Sequence, residues 1–489
     1  MVLTIIVNLL LTPFLIHQLG VTAYGFWTLV LTLSIAHGFL SFADFGIASS
    51  IVKIVGGSAA AENRELTNAT VSGGAMLLGA LGIFLGAMIL LGTGFLQEVF
   101  DVEPGLMADS AILLRLMAVV VFLDLVKLAL SATLQGFQEF ARAKLIQVVG
   151  LLLQAGLMVF LVYRGDGLPG LGLAAATASA TQLVLLFLAL RRAIPWWRLT
   201  LSIPHDTWSN LLRTSSIILV IRLQAAVHKG MDRIIIGLFL LPAVLTQYDI
   251  VFKLAGVGIA CITVISSMMV SPAAESAANN NTQQLSHRFI SSTKVALLLS
   301  LSVVVIIFCY AGNILSLWVG PEFTEIAPEA RMLAGNVIAV ALMASAQNMF
   351  IGTGRLKMVA LVTTATTALN LCLSLLLVVP LGLSGVILAT LISTALSAVL
   401  FLYQGMHHFS VSIRDTIRRL LLPGLAPAVV SLALYAILIQ FLPALSPVFS
   451  MGLVLVSYLG VALGFSVSRE EWKFLCSYFS ELRPDRQDS

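Results

Sequence analysis

Charge is scarce in this chain. Asp, Glu, Lys and Arg make up 10% of its 489 residues while 59% are hydrophobic, against about 25% charged in a soluble domain. A soluble globular fold is excluded, and an integral membrane protein is expected. Cysteine is scarce too: Cys261, Cys309, Cys372 and Cys476 are scattered, with no CxxC and no Cys/His spacing. A disulfide framework and a zinc site are therefore unsupported. No GxxxxGK[ST] loop occurs among the 489 residues, so direct drive by ATP is not expected. The seven histidines form no HExxH, and His407–His408 reads as a solvated pair in a basic loop. No metal site, cofactor or catalytic residue is expected, and the small net charge of +4 gives no sign of a nucleic-acid partner. Basic residues are also missing from the start, where Lys53 is the first Lys or Arg, so no cleavable signal peptide is expected.

What is present is a long series of apolar runs. A helix needs about 20 apolar residues to cross a bilayer. By that measure spans are expected near 2–17, 26–50, 69–93, 110–134, 145–163, 170–190, 214–240, 246–272, 293–316, 329–351, 357–379, 384–404, 420–441 and 446–467, fourteen in all. Alternate connections are basic: one set holds Lys53, Arg64, Arg142, Lys144, Arg191, Arg192, Arg355, Lys357, Arg414, Arg418 and Arg419, among others. The other set has Arg164 and Arg331 among acids such as Glu98, Asp101, Glu322 and Glu325. The positive-inside rule then places both termini in the cytoplasm. The longest connection, 191–213, carries "IPWWRL", which suits either a segment lying at the interface or a plain basic loop.

Three pairs of stretches repeat in order along the chain. "VTAYGFWTL" (21–29) echoes "VLTQYDIVF" (244–252), "LQGFQEFARAK" (134–144) echoes "FIGTGRLK" (350–357), and "GLAAAT" (172–177) echoes "GVILAT" (385–390). The pattern predicts an all-α membrane protein of two six-helix lobes related by pseudo-two-fold symmetry, plus two C-terminal helices. The expected division is 1–190 for the first lobe, 191–213 for the linker, 214–405 for the second lobe, 406–467 for the extra helix pair and 468–489 for a cytoplasmic tail.

The stretches "LTPFLIHQLGVTAYGFWTLV" (11–30), "FADFGIASSIVK" (42–53), "MDRIIIG" (231–237) and "GTGRLK" (352–357) give the whole chain a resemblance to the polysaccharide transporter, or oligosaccharidyl-lipid flippase, family of the MOP superfamily. The resemblance implies two lobes around a central cavity and alternating access. It further implies a polyprenyl-pyrophosphate-linked saccharide as cargo, membrane lipid as surroundings and the bacterial inner membrane as location. The chain departs from the family at its start, where only about 15 residues precede His17, roughly 22 Å of helix. A start assigned too late, or a truncation, is the expectation there.

Charges inside the apolar runs are costly, about 2.5 kcal/mol or more each, and so mark the candidate site. Arg222, Lys229 and Arg233 fall within roughly 40° of one another on the seventh helix. With Arg115, Lys127 and Lys253 they are the candidate contacts to an anionic head-group, since arginine's planar fork suits phosphate. Asp44, Asp124, Asp232 and Asp249 are the candidate carriers of a coupling ion, H+ or Na+. Each has a plainer reading. Asp124 with Lys127, Lys229 with Asp232, and Asp249 with Lys253 stand at the spacing of intrahelical ion pairs. Arg233 and Asp249 can snorkel at an interface, and Asp44 in "FADFG" can pin a helix break beside Gly46. A monomeric exporter is expected. The alternatives are a multidrug exporter, disfavoured by the excess of cations, and a membrane-embedded polysaccharide polymerase or ligase, disfavoured by outer connections of about a dozen residues.

Overall fold

The computed structural model describes residues 2–35, 40, 43–198, 200, 203–204, 208, 230–443 and 445–466. Every regular element among them is helical. That is what a chain with these apolar runs requires, because in lipid each backbone amide and carbonyl must find its partner within the segment. The helices are α1 Val2–Leu19, α2 Val21–Thr32, α3 Ile47–Ala60, α4 Arg64–Leu91, α5 Thr93–Val99, α6 Met107–Gly136, α7 Phe140–Tyr163 and α8 Gly167–Ala193. They continue with α9 over 230–239, α10 Pro242–Ser267, α11 Val270–Ala278, α12 Thr282–Trp318, α13 Ala327–Gly352 and α14 Leu356–His408. The last two are α15 Ile413–Phe441 and α16 Pro447–Ser466.

Among the described residues nine helices are long and apolar enough to cross a membrane. One of these, α14, is divided by Gly382 at φ 56°, two residues after Pro380, and so supplies both the eleventh and twelfth expected spans. The charged α6 and the shorter α1, α2 and α3 account for others. The seventh expected span, 214–240, is described only from 230. Large apolar side chains lie on the outside, as at Leu91, 89% exposed, and Leu317, 79% exposed. Such a surface suits hydrocarbon and not water.

The expected span 26–50 is not one helix. It begins earlier, at Val21, and is interrupted between Thr32 and Ile47. Phe45 (φ 48°) and Gly46 (φ 78°) are both left-handed, which a right-handed helix cannot accommodate. Asp44, fully buried, stabilises the restart: its Oδ1 accepts from the Gly46 amide at 3.2 Å and its carbonyl from the Ile47 amide at 2.8 Å.

Clustering by proximity gives two compact units, Met1–Asp249 with Leu375–Leu383, and Ile250–Ser374 with Ser384–Ser489. Both contain the same two turns. In the first unit Glu62 (φ 53°) precedes Asn63, whose side chain caps α4 by accepting from the Leu66 amide at 2.9 Å. In the second, Asn280 (φ 53°) precedes Asn281, which caps α12 through the Gln284 amide at 2.9 Å. An uncapped amide at this place would cost about 1 kcal/mol. The α6–α7 turn places left-handed Gln138 before Glu139, whose amide bonds the Leu134 carbonyl at 2.9 Å. The α13–α14 turn places left-handed Gly354 before Arg355, whose amide bonds the Phe350 carbonyl at 2.8 Å. Even the close approaches match: Gly136 abuts Val55 of α3, and Gly352 abuts Ala273 of α11.

After α8 the chain does not leave the first unit at once. The Arg198 amide bonds Asn68 Oδ1 at 2.9 Å and the Thr200 amide bonds Ser72 Oγ at 3.1 Å, so this stretch is pinned along α4. Arg191 lies over the rings of Phe187 and Trp197, and Arg64 over Trp196. Arginines against tryptophans are the chemistry of a membrane interface.

Candidate functional site

Two largely buried ion pairs stand out among the described residues of the first unit. Asp124 and Lys127 stand one turn apart on α6, with Nζ 2.7 Å from Asp124 Oδ1. Helix α8 closes the group: Ser179 Oγ donates to Asp124 Oδ1 at 2.8 Å, and Lys127 donates to Ser179 Oγ at 3.1 Å and Gln182 Oε1 at 2.6 Å. Gly150 on α7 leaves the room that the Gln182 side chain fills, since a Cβ there would overlap it. The intrahelical pairing read from the spacing is thus present, with two polar partners from α8 added.

The second pair is assembled from three separate segments. Arg233 of α9 donates from Nη2 to Asp249 Oδ1 of α10 at 3.1 Å. The other oxygen, Oδ2, accepts from Tyr24 of α2 at 2.8 Å. One residue back on each helix the arrangement repeats, with Tyr248 donating to Asp232 Oδ2 at 3.1 Å. Tyr24, Tyr248, Asp232 and Asp249 are all buried. An ion pair in such a place loses several kcal/mol of hydration per ion and persists only with good geometry and further hydrogen bonds.

Close packing brings these segments together. Gly25 of α2 touches the Pro242 backbone at the start of α10, and a Cβ would not fit. Thr246 Oγ1 donates to the Val21 carbonyl at 2.6 Å, so α10 is fastened to the first turn of α2. Gly237 of α9 faces Leu29 of α2, where a Cβ would come within 2.6 Å of Cδ1. Two glycines and one threonine therefore set the distances at which Tyr24, Arg233 and Asp249 meet.

The remaining candidates fall as follows. Asp44 sits in the α2–α3 break described above. Arg115 is exposed on α6, on the same face as Ile112 and Val119. Lys253 is half-buried on α10, one turn after Asp249. Arg222, His228 and Lys229 lie outside the described residues, so of the expected positive stripe only Arg233 is placed, and its guanidinium is engaged by Asp249. Among the described residues no group of three or more His, Cys, Asp or Glu is disposed to hold a metal ion. The tyrosines were missed as site residues, although both belong to the echoing stretches "VTAYGFWTL" and "VLTQYDIVF". Ser179 and Gln182 carried no signal of their own.

This arrangement can be set beside known proteins. A family model described as "Polysaccharide biosynthesis protein" matches residues 18–328. A relative from Bacillus subtilis (strain 168), the uncharacterized membrane protein EpsK, is 22% identical over 408 residues, covering 82% of this chain and 79% of that protein. Among solved structures, a multidrug resistance MATE family transporter of the MOP superfamily in its inward-facing conformation matches with a TM-score of 0.70 at 16% identity. That match covers 83% of this chain and 94% of the other. An outward-facing structure of such a transporter matches with a TM-score of 0.60 at 17% identity, covering 83% and 92%.

Proposed function

This chain belongs to the polysaccharide biosynthesis protein family, and on that premise we propose that it moves a polyprenyl-pyrophosphate-linked oligosaccharide outward across the bacterial inner membrane. It is a multi-pass membrane protein with the fold of MATE-family transporters. In the proposed cycle it works as a monomer by alternating access, with both termini cytoplasmic and with H+ or Na+ as the coupling ion.

The observation that carries the reading is the Tyr24–Asp249–Arg233 group. Ionisable side chains within membrane helices are expensive and are kept where a substrate or ion passes. Here one carboxylate bonds to two other segments at once, beside the Thr246–Val21 and Tyr248–Asp232 hydrogen bonds and the close packing that hold them together. Protonation of Asp249, or capture of a cation by it, would release Arg233 and weaken the hold between α9 and α10. Asp232 with Tyr248 is a second carboxylate on the same two helices. Asp124, closed by α8, and Asp44, committed to a helix break, contribute scaffold in this scheme. The head-group reading rests on the cations: Arg115 and Arg222 carry no local acid in the sequence, and Arg233 becomes available as Asp249 is neutralised.

The test is complementation of a glycan-export defect, with membrane abundance measured in parallel. Arg222→Glu and Arg115→Glu are expected to abolish export with insertion intact, and Arg→Lys to be intermediate because the charge stays while the planar fork is lost. Arg418→Glu, at an exposed residue, is the control and should export normally. Full export by Arg222→Glu at normal abundance would remove the anion site from the proposal.

A further inference from the structure

The α6–α7 and α13–α14 turns share a backbone and differ in charge. Glu139 and Arg355 occupy the same place in them, each the residue after a left-handed one. In the first turn Glu139 is neutralised within the turn, by Arg142 at 3.0 Å. The second turn, "GTGRLK", has no acid. Arg355 reaches instead to the end of α14, where its Nη1 lies 3.0 Å from His408 Nδ1 and 3.3 Å from Nε2. The His407 ring is 5.4 Å from that of His408, and Lys357 is exposed two residues beyond Arg355.

A guanidinium is always charged and can only donate, so its contact with an imidazole requires a neutral ring presenting an acceptor nitrogen. Three basic groups are in contact here, and Lys357 stands exposed two residues along the chain from Arg355. Among the described residues none of Arg355, Lys357, His407 and His408 has a carboxylate at ion-pair distance. Asp415, the next acid along the chain, is already engaged by Arg419 at 3.2 Å and Ser412 at 2.7 Å. Nor can His408 swing freely, because its ring packs edge-on against Phe350, which stacks on Phe409. Among the described residues this donor cluster has no counter-ion, and an anion from outside the chain would supply one. Leu356 (52% exposed) and Ile351 (38%) flank Arg355 and present aliphatic surface beside the charges. A free phosphate would leave that surface bare, whereas a lipid would cover it with its acyl chains.

We infer that Arg355, Lys357, His407 and His408 form a binding site for the phosphate head-group of an anionic membrane phospholipid. Arginine supplies the paired donors that match phosphate oxygens, and basic groups at a membrane surface draw anionic lipids to them. The site shares no residue with the proposed cargo contacts, and its test reads lipid binding and not export.

The experiment uses the full chain, purified and placed in phosphatidylcholine discs with or without phosphatidylglycerol, with thermal unfolding as one readout. The second readout is retention of phosphatidylglycerol by the detergent-solubilised protein in native mass spectrometry. The wild type should be stabilised by phosphatidylglycerol and should retain it. Arg355→Gln should weaken retention about tenfold, the size of one charge-assisted hydrogen bond. His408→Gln should weaken it by less, and it keeps an acceptor for Arg355, so it guards against simple misfolding of the turn. Arg142→Gln, in the self-neutralised turn, should leave retention unchanged. Retention by Arg355→Gln and His408→Gln equal to the wild type's would overturn the inference. Equal stabilisation of the wild type by inorganic phosphate alone would overturn the lipid assignment in favour of a soluble anion.

Discussion

Asp124 and Lys127 stand three residues apart on one helix, whereas Arg233 and Asp249 stand sixteen apart on two helices and share Asp249 with Tyr24, 225 residues distant in the chain. The chemistry is the same in both groups, a carboxylate, a cation and hydroxyl donors in apolar surroundings. What differs is what must stay put for the group to exist. The α6 pair survives any rigid movement of its helix, and Ser179 and Gln182 tie it to one neighbour. The Asp249 group exists only while α2, α9 and α10 keep their present distances. A pair of the first kind adds stability to a helix contact; a pair of the second kind also reports on, and helps to set, a conformation.

The sharpest way to break this comparison is to remove one carboxylate from each group. Asp249→Ala removes a 3% exposed carboxylate that both Arg233 and Tyr24 hold from separate helices, a change expected to cost about 3–5 kcal/mol. Asp124→Ala should cost less, about 1–3 kcal/mol, because Lys127 keeps Ser179 and Gln182 as partners. Thermal unfolding of the two purified variants gives the ranking, and equal losses would erase the distinction. Replacing both members sharpens it. A buried pair exchanged for apolar residues of similar volume is often neutral or even stabilising. Asp124→Leu with Lys127→Met should therefore regain stability and export. Asp249→Leu with Arg233→Met should regain stability while export stays down by about tenfold or more, as expected where an intramembrane carboxylate is functional. Normal export by that second double variant would reduce the Asp249 group to scaffold.

A smaller perturbation acts on the distance and not on the charges. Gly25→Ala places a methyl group against the Pro242 backbone, which cannot turn aside. Overpacking of this kind costs about 1–3 kcal/mol, and it should part α2 from α10 where Tyr24 meets Asp249. Gly57→Ala is the control, since a Cβ at Gly57 meets nothing within 4 Å. Export measured at matched abundance should fall for Gly25→Ala and hold for Gly57→Ala.

The contrast also explains what the sequence could and could not disclose. The helices were legible because each apolar run has to satisfy its backbone locally, and Asp124–Lys127 was legible because i,i+3 spacing fixes proximity on a helix. The α2–α3 break was half legible: "FADFG" suggested a pinned break at Asp44 and Gly46, yet the apolar run across it read as one span. Nothing local links Tyr24 to Asp249. That contact depends on how two glycines let three helices approach, and a glycine in an apolar run looks the same whether it is a contact point or filler. Arg233 was read as part of a positive stripe or as snorkelling to an interface; its carboxylate partner lies on the next helix, beyond the reach of periodicity.

The smallest expected effect offers the finest comparison. Tyr24→Phe keeps a ring that is 1% exposed and removes only the hydroxyl bonded to Asp249 Oδ2 at 2.8 Å. Because Arg233 still holds Oδ1, the loss should be about 1 kcal/mol, the size of one net hydrogen bond. The informative quantity is how that loss combines with others. Residues sharing one network couple by about 0.5–3 kcal/mol, whereas independent sites add within about 0.5 kcal/mol. Tyr24→Phe combined with Arg233→Met should thus depart from the sum of the single changes, because both act on the same carboxylate. Tyr24→Phe combined with Lys127→Met should add, because the α6 pair is complete without α2. If both cycles proved additive, Tyr24 would be a bystander to the ion pair and the link from α2 to Asp249 would carry no energy. If both were coupled, the two groups would be one network, and the division between a local pair and a conformational one would fall.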